Sequence, residues 1–473
     1  MLAVVVSKAD SASAHIGDHL LAVDDWAEHE DSTRPDGDGG GTVYRTDSVE
    51  LREFDDLHLN VDGVGDVFGR VDGEDERVAP DLLVFASRHA GETDALLTAH
   101  HTGNFGPAEY GGETGQFARA CPNAHRRVIE ALGTHAPPGY EVGMECTHHG
   151  PTDVGVPSMF VEVGSDEPQW EDPDAARAVA RAILALRNVD PDAPGENGTR
   201  RQLVGFGGGH YAPRFERIVR ETDWAVGHVG ATWCLNAMGD PEANRDVLNR
   251  AFAASGADYA VLESDRPTLA ETIEALGYTV VGETWVRETT GVPLALVETV
   301  EGSLGEVDEG VRFGERAVDY EGGTSGDDLD VVPLPEDLLT EAQGIDQRAA
   351  RDAVERATVA FETTEGGNRV AGRAVVAADH DGETLVDELV GVLEQGYDAV
   401  EREDDAVVAR ETAFDPDRAR TLGVTEGPKL GKLAEGEPVT VGGDEIDPSA
   451  VHVEREHRFP VDELLDRCTS TAR

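Results

Sequence analysis

Lysine is almost absent from this chain: of 39 basic residues, only Lys8, Lys429 and Lys432 are lysine. Against them stand 95 acidic residues, a formal net charge of −56. That balance removes the basic-patch argument for a nucleic-acid partner without excluding one. It suits a high-salt cytoplasm, where the Debye length falls to about 3 Å near 1 M salt and a dense acidic surface repels itself little. Cysteine is scarce as well. Cys121, Cys146, Cys234 and Cys468 form no CxxC pair, which excludes cysteine-rich zinc modules and points to free thiols in a reducing cytoplasm. Aromatic residues make up 5% of the chain, so the core must be built mainly from Val, Ala and Leu. No apolar run approaches the ~20 residues of a spanning helix. The amino-terminal Met1-Leu-Ala-Val-Val-Val-Ser lacks the basic flank of a signal peptide. A cytoplasmic protein with no membrane partner is expected. HExxH, HxHxDH and the P-loop are missing too, and His210 stands where a dinucleotide GxGxxG would need glycine, so no nucleotide cofactor is expected.

What is present is enough chain, 473 residues, for more than one core. Apolar, β-branched runs mark strands at Leu2–Val6, Asp81–Ala86, Met159–Val163, Gln202–Phe206 and Tyr259–Leu262. Between them, apolar residues at three- and four-residue spacing mark helices at Asp174–Arg187, Glu242–Ser255 and Thr268–Leu276. Alternation of this kind predicts an α/β fold, a central mixed sheet flanked by helices, with functional loops at the carboxyl ends of strands. The expected organisation is a catalytic domain over 1–300, an acidic glycine-rich linker over 301–334 and a smaller α+β extension over 335–473. The linker holds Gly322-Gly-Thr-Ser-Gly-Asp-Asp; the extension has helical patterns to about Val408, the isolated His380 and a turn-rich run from Ala419 to Val451.

Histidine locates the chemistry. Thirteen of the 16 lie before residue 300, nine of them between His89 and His228. Four segments stand out: Ser87-Arg88-His89, His100-His101-Thr102-Gly103-Asn104, Glu145-Cys146-Thr147-His148-His149-Gly150-Pro151-Thr152, and the glycine run ending in His210-Tyr211-Ala212-Pro213-Arg214. Neutral imidazole is a common zinc ligand and a good base near neutral pH, and Glu145 and Glu162 are available carboxylate partners. Any one of these histidines read alone is more simply a hydrogen-bonded structural residue. As a set, they indicate a catalytic or metal site. Adjacent histidines on a strand face opposite ways, so His100 and His101, or His148 and His149, cannot both reach one ion without a turn. The run Gly205 to Gly209 permits close approach of a phosphate, ribose or oxyanion, or simply a tight turn with positive φ. Arg88 and Arg214 are anion anchors or surface ion-pair partners. Trp233, just after Gly227 to Thr232, is the tryptophan best placed to face the same cleft. Cys146 is the one cysteine among the histidines.

In this order the segments resemble the archaeal and plant type of D-aminoacyl-tRNA deacylase. The likeness is carried by Ser7-Lys-Ala-Asp-Ser-Ala-Ser13, Ser87-Arg-His89, His100-His-Thr-Gly-Asn104, His148-His-Gly-Pro-Thr152, Phe160-Val-Glu-Val-Gly-Ser165 and Gly207-Gly-Gly-His-Tyr-Ala-Pro213, over about residues 1 to 290. The resemblance implies a fold related to nucleoside phosphorylases and peptidyl-tRNA hydrolases. It also implies zinc, with two ions per chain the expectation, and hydrolysis of the ester joining a D-amino acid to the tRNA acceptor end. On that basis His210, Glu145 and His89 are the catalytic candidates, and His100, His101, His148, His149 and Glu162 the metal candidates. Arg88, Gly207, Gly208, Gly209 and Arg214 are the substrate-binding candidates. The tail from Leu422 to Pro448 resembles a carboxyl-terminal segment of zinc-dependent tRNA 3′-processing nucleases, although their HxHxDH is missing; Lys429 and Lys432 fall inside it and join the substrate-binding candidates. A monomer is expected. The rival readings are a zinc peptidase or amidohydrolase on small acyl compounds, a nucleoside phosphorylase-like enzyme, and a non-catalytic module that covers the tRNA acceptor end.

Overall fold

The computed structural model describes residues 1–74, 76–196, 199–318, 320, 329–377 and 381–465. The glycine-rich centre of the expected linker, His380 and Cys468 lie outside the described residues. The chain divides into two compact units, Met1–Thr290 and Gly291–Arg473. No helix among the described residues is long and apolar enough to cross a membrane.

The first unit contains an eight-stranded mixed sheet: β1 (Leu2–Ser7), β2 (Ala27–Asp31), β3 (Gly41–Arg45), β4 (Val49–Phe54), β5 (Leu82–Arg88), β6 (Leu96–His100), β7 (Glu141–Met144) and β8 (Ser158–Gly164). Their order is β2-β3-β4-β1-β5-β8-β6-β7. β1, β5 and β8 are parallel neighbours, and β6 runs antiparallel to β8. β1, β5 and β8 are buried on both faces and so read as largely apolar runs: helices lie against one face, and Phe54, Val64, Phe68 and Val154 pack on the other. One of these helices, α1 (Ser11–Val23), starts where Asp10 accepts the Ala12 and Ser13 amides, an N-cap worth about 1 kcal/mol. It lies close against β1: a Cβ on Gly17 would sit 2.9 Å from a Val6 methyl carbon. Across the sheet Phe85, Phe160 and His100 share one face in register, with Phe85 stacked on Phe160 at 4.5 Å and Phe160 under His100 at 5.3 Å.

After a short pair, β9 (Gly195–Glu196) and β10 (Thr199–Arg200), a second and wholly parallel sheet follows. It consists of β11 (Gln202–Phe206), β12 (Ala225–Gly230), β13 (Tyr259–Leu262) and β14 (Thr279–Val281), in the order β12-β11-β13-β14. The sheets are joined where the strand path past β7 pairs with the loop after β11: Glu145 bridges Tyr211, and the Cys146 amide donates to the His210 carbonyl at 2.8 Å. This join brings the histidines together.

The second unit is α+β. A four-stranded antiparallel sheet of β15 (Val311–Phe313), β16 (Leu329–Pro333), β17 (Ala360–Thr364) and β18 (Arg369–Ala377) packs helices Glu336–Ile345, Gln347–Ala357 and Asp381–Leu393 around Leu338, Val354, Phe361 and Leu389. β19 (Ala399–Arg402), β20 (Ala406–Phe414) and β23 (His452–Pro460) form a third sheet. The turn-rich tail carries the hairpin β21 (Val439–Val441) and β22 (Asp444–Ile446), together with two short helices over a small core of Ala419, Val424 and Leu433. β15 and β16 fall within 301–334, so that stretch contributes strands to the second unit.

Candidate active site

β5 ends in Arg88 and delivers His89 directly at its carboxyl end. Glu162 is the one ionisable residue inside β8; the sheet pairs it with Ser87 on one side and Thr98 on the other. His100 closes β6, opposite Phe160. Asp10, besides capping α1, accepts the Arg88 amide at 3.2 Å and so fixes the backbone just before His89.

Glu145 and His89 form the centre. Glu145 Oε1 lies 3.0 Å from His89 Nδ1, and Glu145 Oε2 lies 2.9 Å from His210 Nε2. Glu162 reaches His89 Nδ1 at 3.7 Å and His100 Nε2 at 3.8 Å. Burial opposes the charge on His89, but the two carboxylates override it and push its pKa up to about 11, so it is an imidazolium. Its Nε2–H points to the Tyr211 hydroxyl at 2.8 Å. Burial also works against ionised Glu145, and the close imidazoles of His210 and His89 outweigh it, holding the carboxyl well below its usual range.

A second group adjoins the first. His100, His148 and His149 each donate Nδ1–H to a backbone carbonyl: His101 at 3.1 Å, Cys146 at 2.8 Å and Gly150 at 2.6 Å. The lone pair of each ring is thereby left on Nε2, and the three ligand atoms lie within 4.8 Å of one another. Burial and the neighbouring rings pull His149 down to about 4 and His148 well below its ordinary value, so both are neutral at pH 7. His100 moves the other way: burial lowers it, but Glu162 raises it further.

These residues fit a zinc ion. His100 Nε2 is buried with no hydrogen-bond partner, and the two buried Glu145 oxygens have only the imidazoles of His89 and His210 close by. Two carboxylates, Glu145 and Glu162, are buried among the rings and offer anionic ligands to a cation. Backbone carbonyls that fix the tautomer of each ring supply the outer support of metal-binding histidines. His100 with Glu145 and Glu162 meets the same spacing; His89 with Glu145 and His210 does too, but a protonated His89 has no lone pair to give a metal, which leaves that group to proton chemistry.

The site opens on a cavity of about 240 Å³ lined by His148, His149, His210, Trp233, Tyr110 and Asn104 among others. The glycine run turns beneath it. Gly207 (φ +121°) and Gly208 (φ +76°) take conformations that favour glycine, and a Cβ on either would meet Glu263, at 2.8 and 2.3 Å. The Gly208 carbonyl accepts the Thr232 amide at the start of helix Thr232–Met238, so the run positions Trp233 as well as His210.

Several sequence-level candidates lie elsewhere. His101 does not join the cluster: strand alternation turns it to the opposite face, where Nδ1 donates to Gly227 O and Nε2 accepts the Cys121 amide. It packs there with His125 and His228. Arg214 is a structural ion-pair residue, tied to Glu283 at 3.1 Å and to the Leu262 carbonyl. Arg88 lies over the Trp170 ring at 5.1 Å, with the Trp170 indole N–H donating to the His89 carbonyl. A Cβ on Gly209 would meet nothing closer than 3.9 Å, so the tight turn belongs to Gly207 and Gly208. In the second unit Lys429 Nζ donates to Thr440 O at 2.6 Å and Lys432 pairs with Glu437 at 3.3 Å. Cys146 is buried, its thiol pushed up by Cys234 and by burial, so it is no thiolate nucleophile. Tyr211 and Asp10 were not singled out as site residues from sequence, although both fall inside the resembling segments.

Residues 76–281 match the family model described as D-aminoacyl-tRNA deacylase. A protein of Haloarcula marismortui named D-aminoacyl-tRNA deacylase is 59% identical over 97% of this chain and 100% of its own. One of the same name from Halorubrum lacusprofundi is 56% identical over 98% of each. A crystal structure of a conserved protein of unknown function superposes with a TM-score of 0.52 at 28% identity, covering 61% of this chain and 98% of that one. The chain belongs to the D-aminoacyl-tRNA deacylase family.

Proposed function

We propose that this protein is a zinc-dependent hydrolase that cleaves the ester between a D-amino acid and the 3′ end of tRNA, releasing both. Family membership supports the substrate class. The observation that carries the chemistry is the Glu145–His210 pair, 2.9 Å apart and beside three histidines whose Nδ1 atoms are tied to the backbone. His210 shares its Nε2 proton with buried Glu145, which leaves Nδ1 as the basic nitrogen of a ring that lines the cavity. That nitrogen takes a proton from water as the oxygen adds to the ester carbonyl. It returns the proton to the ribose oxygen as the ester bond breaks. His89, held between Glu145 and Glu162, keeps the carboxylate ionised and in position. Zinc, held by His100, His148 and His149, supplies Lewis-acid activation of the water when bound. An aminoacyl ester is already activated, so positioning and proton transfer suffice.

Replacing His210 and His148 separately by Ala tests this reading. The first variant should lose turnover and keep its zinc; the second should lose both. Turnover surviving in both, with zinc content unchanged, would overturn it.

A further inference from the structure

We infer that Trp233 and Tyr110 form a stacking clamp for the unpaired terminal base of the tRNA acceptor end; this rests on the function proposed above. Five large hydrophobic side chains are exposed among the described residues, and the two aromatic ones, Tyr110 (69% exposed) and Trp233 (51% exposed), line the same cavity as His148, His149 and His210. A lone exposed ring is ordinary, but two at the mouth of a reactive cavity are not.

Both rings are mounted on rigid backbone. The Tyr110 carbonyl accepts the Gly150 amide at 3.0 Å, one residue from His149. Trp233 follows Thr232, whose amide is tied to Gly208. Beyond Trp233, Cys234 Sγ approaches the Thr147 carbonyl at 3.8 Å. Neither ring stacks on another aromatic or under an arginine among the described residues. The backbone under each ring is anchored, and the exposed faces are left open to a flat ligand.

Charge chooses the ligand. No Lys or Arg lines the cavity, while Glu109 does, so the lining offers a phosphate no cationic side chain and leaves the ring faces as the recognition surface. The volume, about 240 Å³, is below the ~300–1,000 Å³ of typical small-molecule pockets and suits one terminal residue rather than a length of strand. In a chain of net charge −56, phosphate contacts are unfavourable, and in concentrated salt the counterion-release contribution shrinks further. Stacking does not depend on counterion release, and every base has a face to offer.

The experiment compares wild type with Trp233→Ala and Tyr110→Ala on D-tyrosyl-tRNA and on the same tRNA carrying an abasic terminal ribose. Each substitution should raise KM roughly 5- to 150-fold with kcat nearly unchanged, from about 1–3 kcal/mol of stacking per base. Trp233→Phe should recover much of the loss. Wild type should lose a similar factor on the abasic substrate, where the alanine variants lose nothing more. An unchanged KM in both alanine variants overturns the clamp. So does an undiminished loss on the abasic substrate, which would assign the rings to the amino-acid side chain. Quenching of tryptophan fluorescence by the trinucleotide CCA, present in wild type and absent in Trp233→Phe, reads the clamp without turnover. Quenching without ester hydrolysis would sink the proposed reaction alone, and hydrolysis without quenching the clamp alone.

Discussion

Acid should unfold the first unit early, and the cause is the histidine group on the far face of the sheet. Burial pulls His125 and His228 down from 6.5 to about 4 and His101 well below its ordinary value. A histidine with a depressed folded pKa contributes stability that is fully present above the unfolded value, near 6.5, and is lost as pH falls through the folded value. For a drop from 6.5 to about 4, each of His125 and His228 contributes about 3 kcal/mol. Two such terms rival the ~5–15 kcal/mol that holds an ordinary domain together. His89 has the opposite sign: its pKa, raised to about 11, gives stability complete below 6.5 and lost as pH rises toward 11. It cannot offset the acid loss. Urea unfolding in multimolar KCl, followed by near-ultraviolet circular dichroism between pH 7 and 4.5, should show stability falling with pH. The pKa values of His148 and His149 are lowered as well, so the comparison with His125→Leu isolates the core group. That variant should show a slope smaller by one proton, about 1.4 kcal/mol per pH unit. Equal slopes in the two proteins would refute the assignment of a neutral, buried His125.

Replacing Glu145 with Gln keeps the shape but removes the charge that orients His210; kcat should fall about 10²- to 10⁴-fold with KM little changed, and an unaffected kcat would exclude the pair as the proton-transfer unit. Gly207→Ala forces a side chain onto φ +121° and against Glu263; it should cost about 1–3 kcal/mol, read as a lower Tm together with lost turnover, and an unchanged Tm would show that the turn has slack. Stripping the metal should lower Tm as well as activity, because ligand binding to the folded state alone stabilises it; in His148→Ala the chelator should then shift Tm much less, and an equal shift would place the ion elsewhere.

The strands that were legible in sequence are those whose both faces are covered. Leu2–Val6 announces itself as a β-branched run and Gln202–Phe206 as a short apolar one, whereas β2, Ala-Glu-His-Glu-Asp, is a mostly exposed edge strand with no hydrophobic signature. His101 could be read out of the cluster from alternation alone, once β6 was known to run through His100. The pairing of Glu145 with His210 could not be read, because it depends on a bridge between segments 66 residues apart that closes only when two sheets meet. For the same reason Arg214 looked like an anion anchor: its true partner, Glu283, lies 69 residues away at the start of a short helix. Trp233 was legible by its neighbours, and only the fold shows its ring open to the cavity.

One His/Glu pocket is proposed to remove D-amino acids from tRNA with the help of zinc. The most direct test is release of D-tyrosine from D-tyrosyl-tRNA in multimolar KCl, measured beside L-tyrosyl-tRNA, before chelation, after it and after zinc is returned. D-selective turnover that vanishes on chelation and returns with zinc is the predicted result. Turnover that ignores the chelator, or that treats the two esters alike, would contradict it.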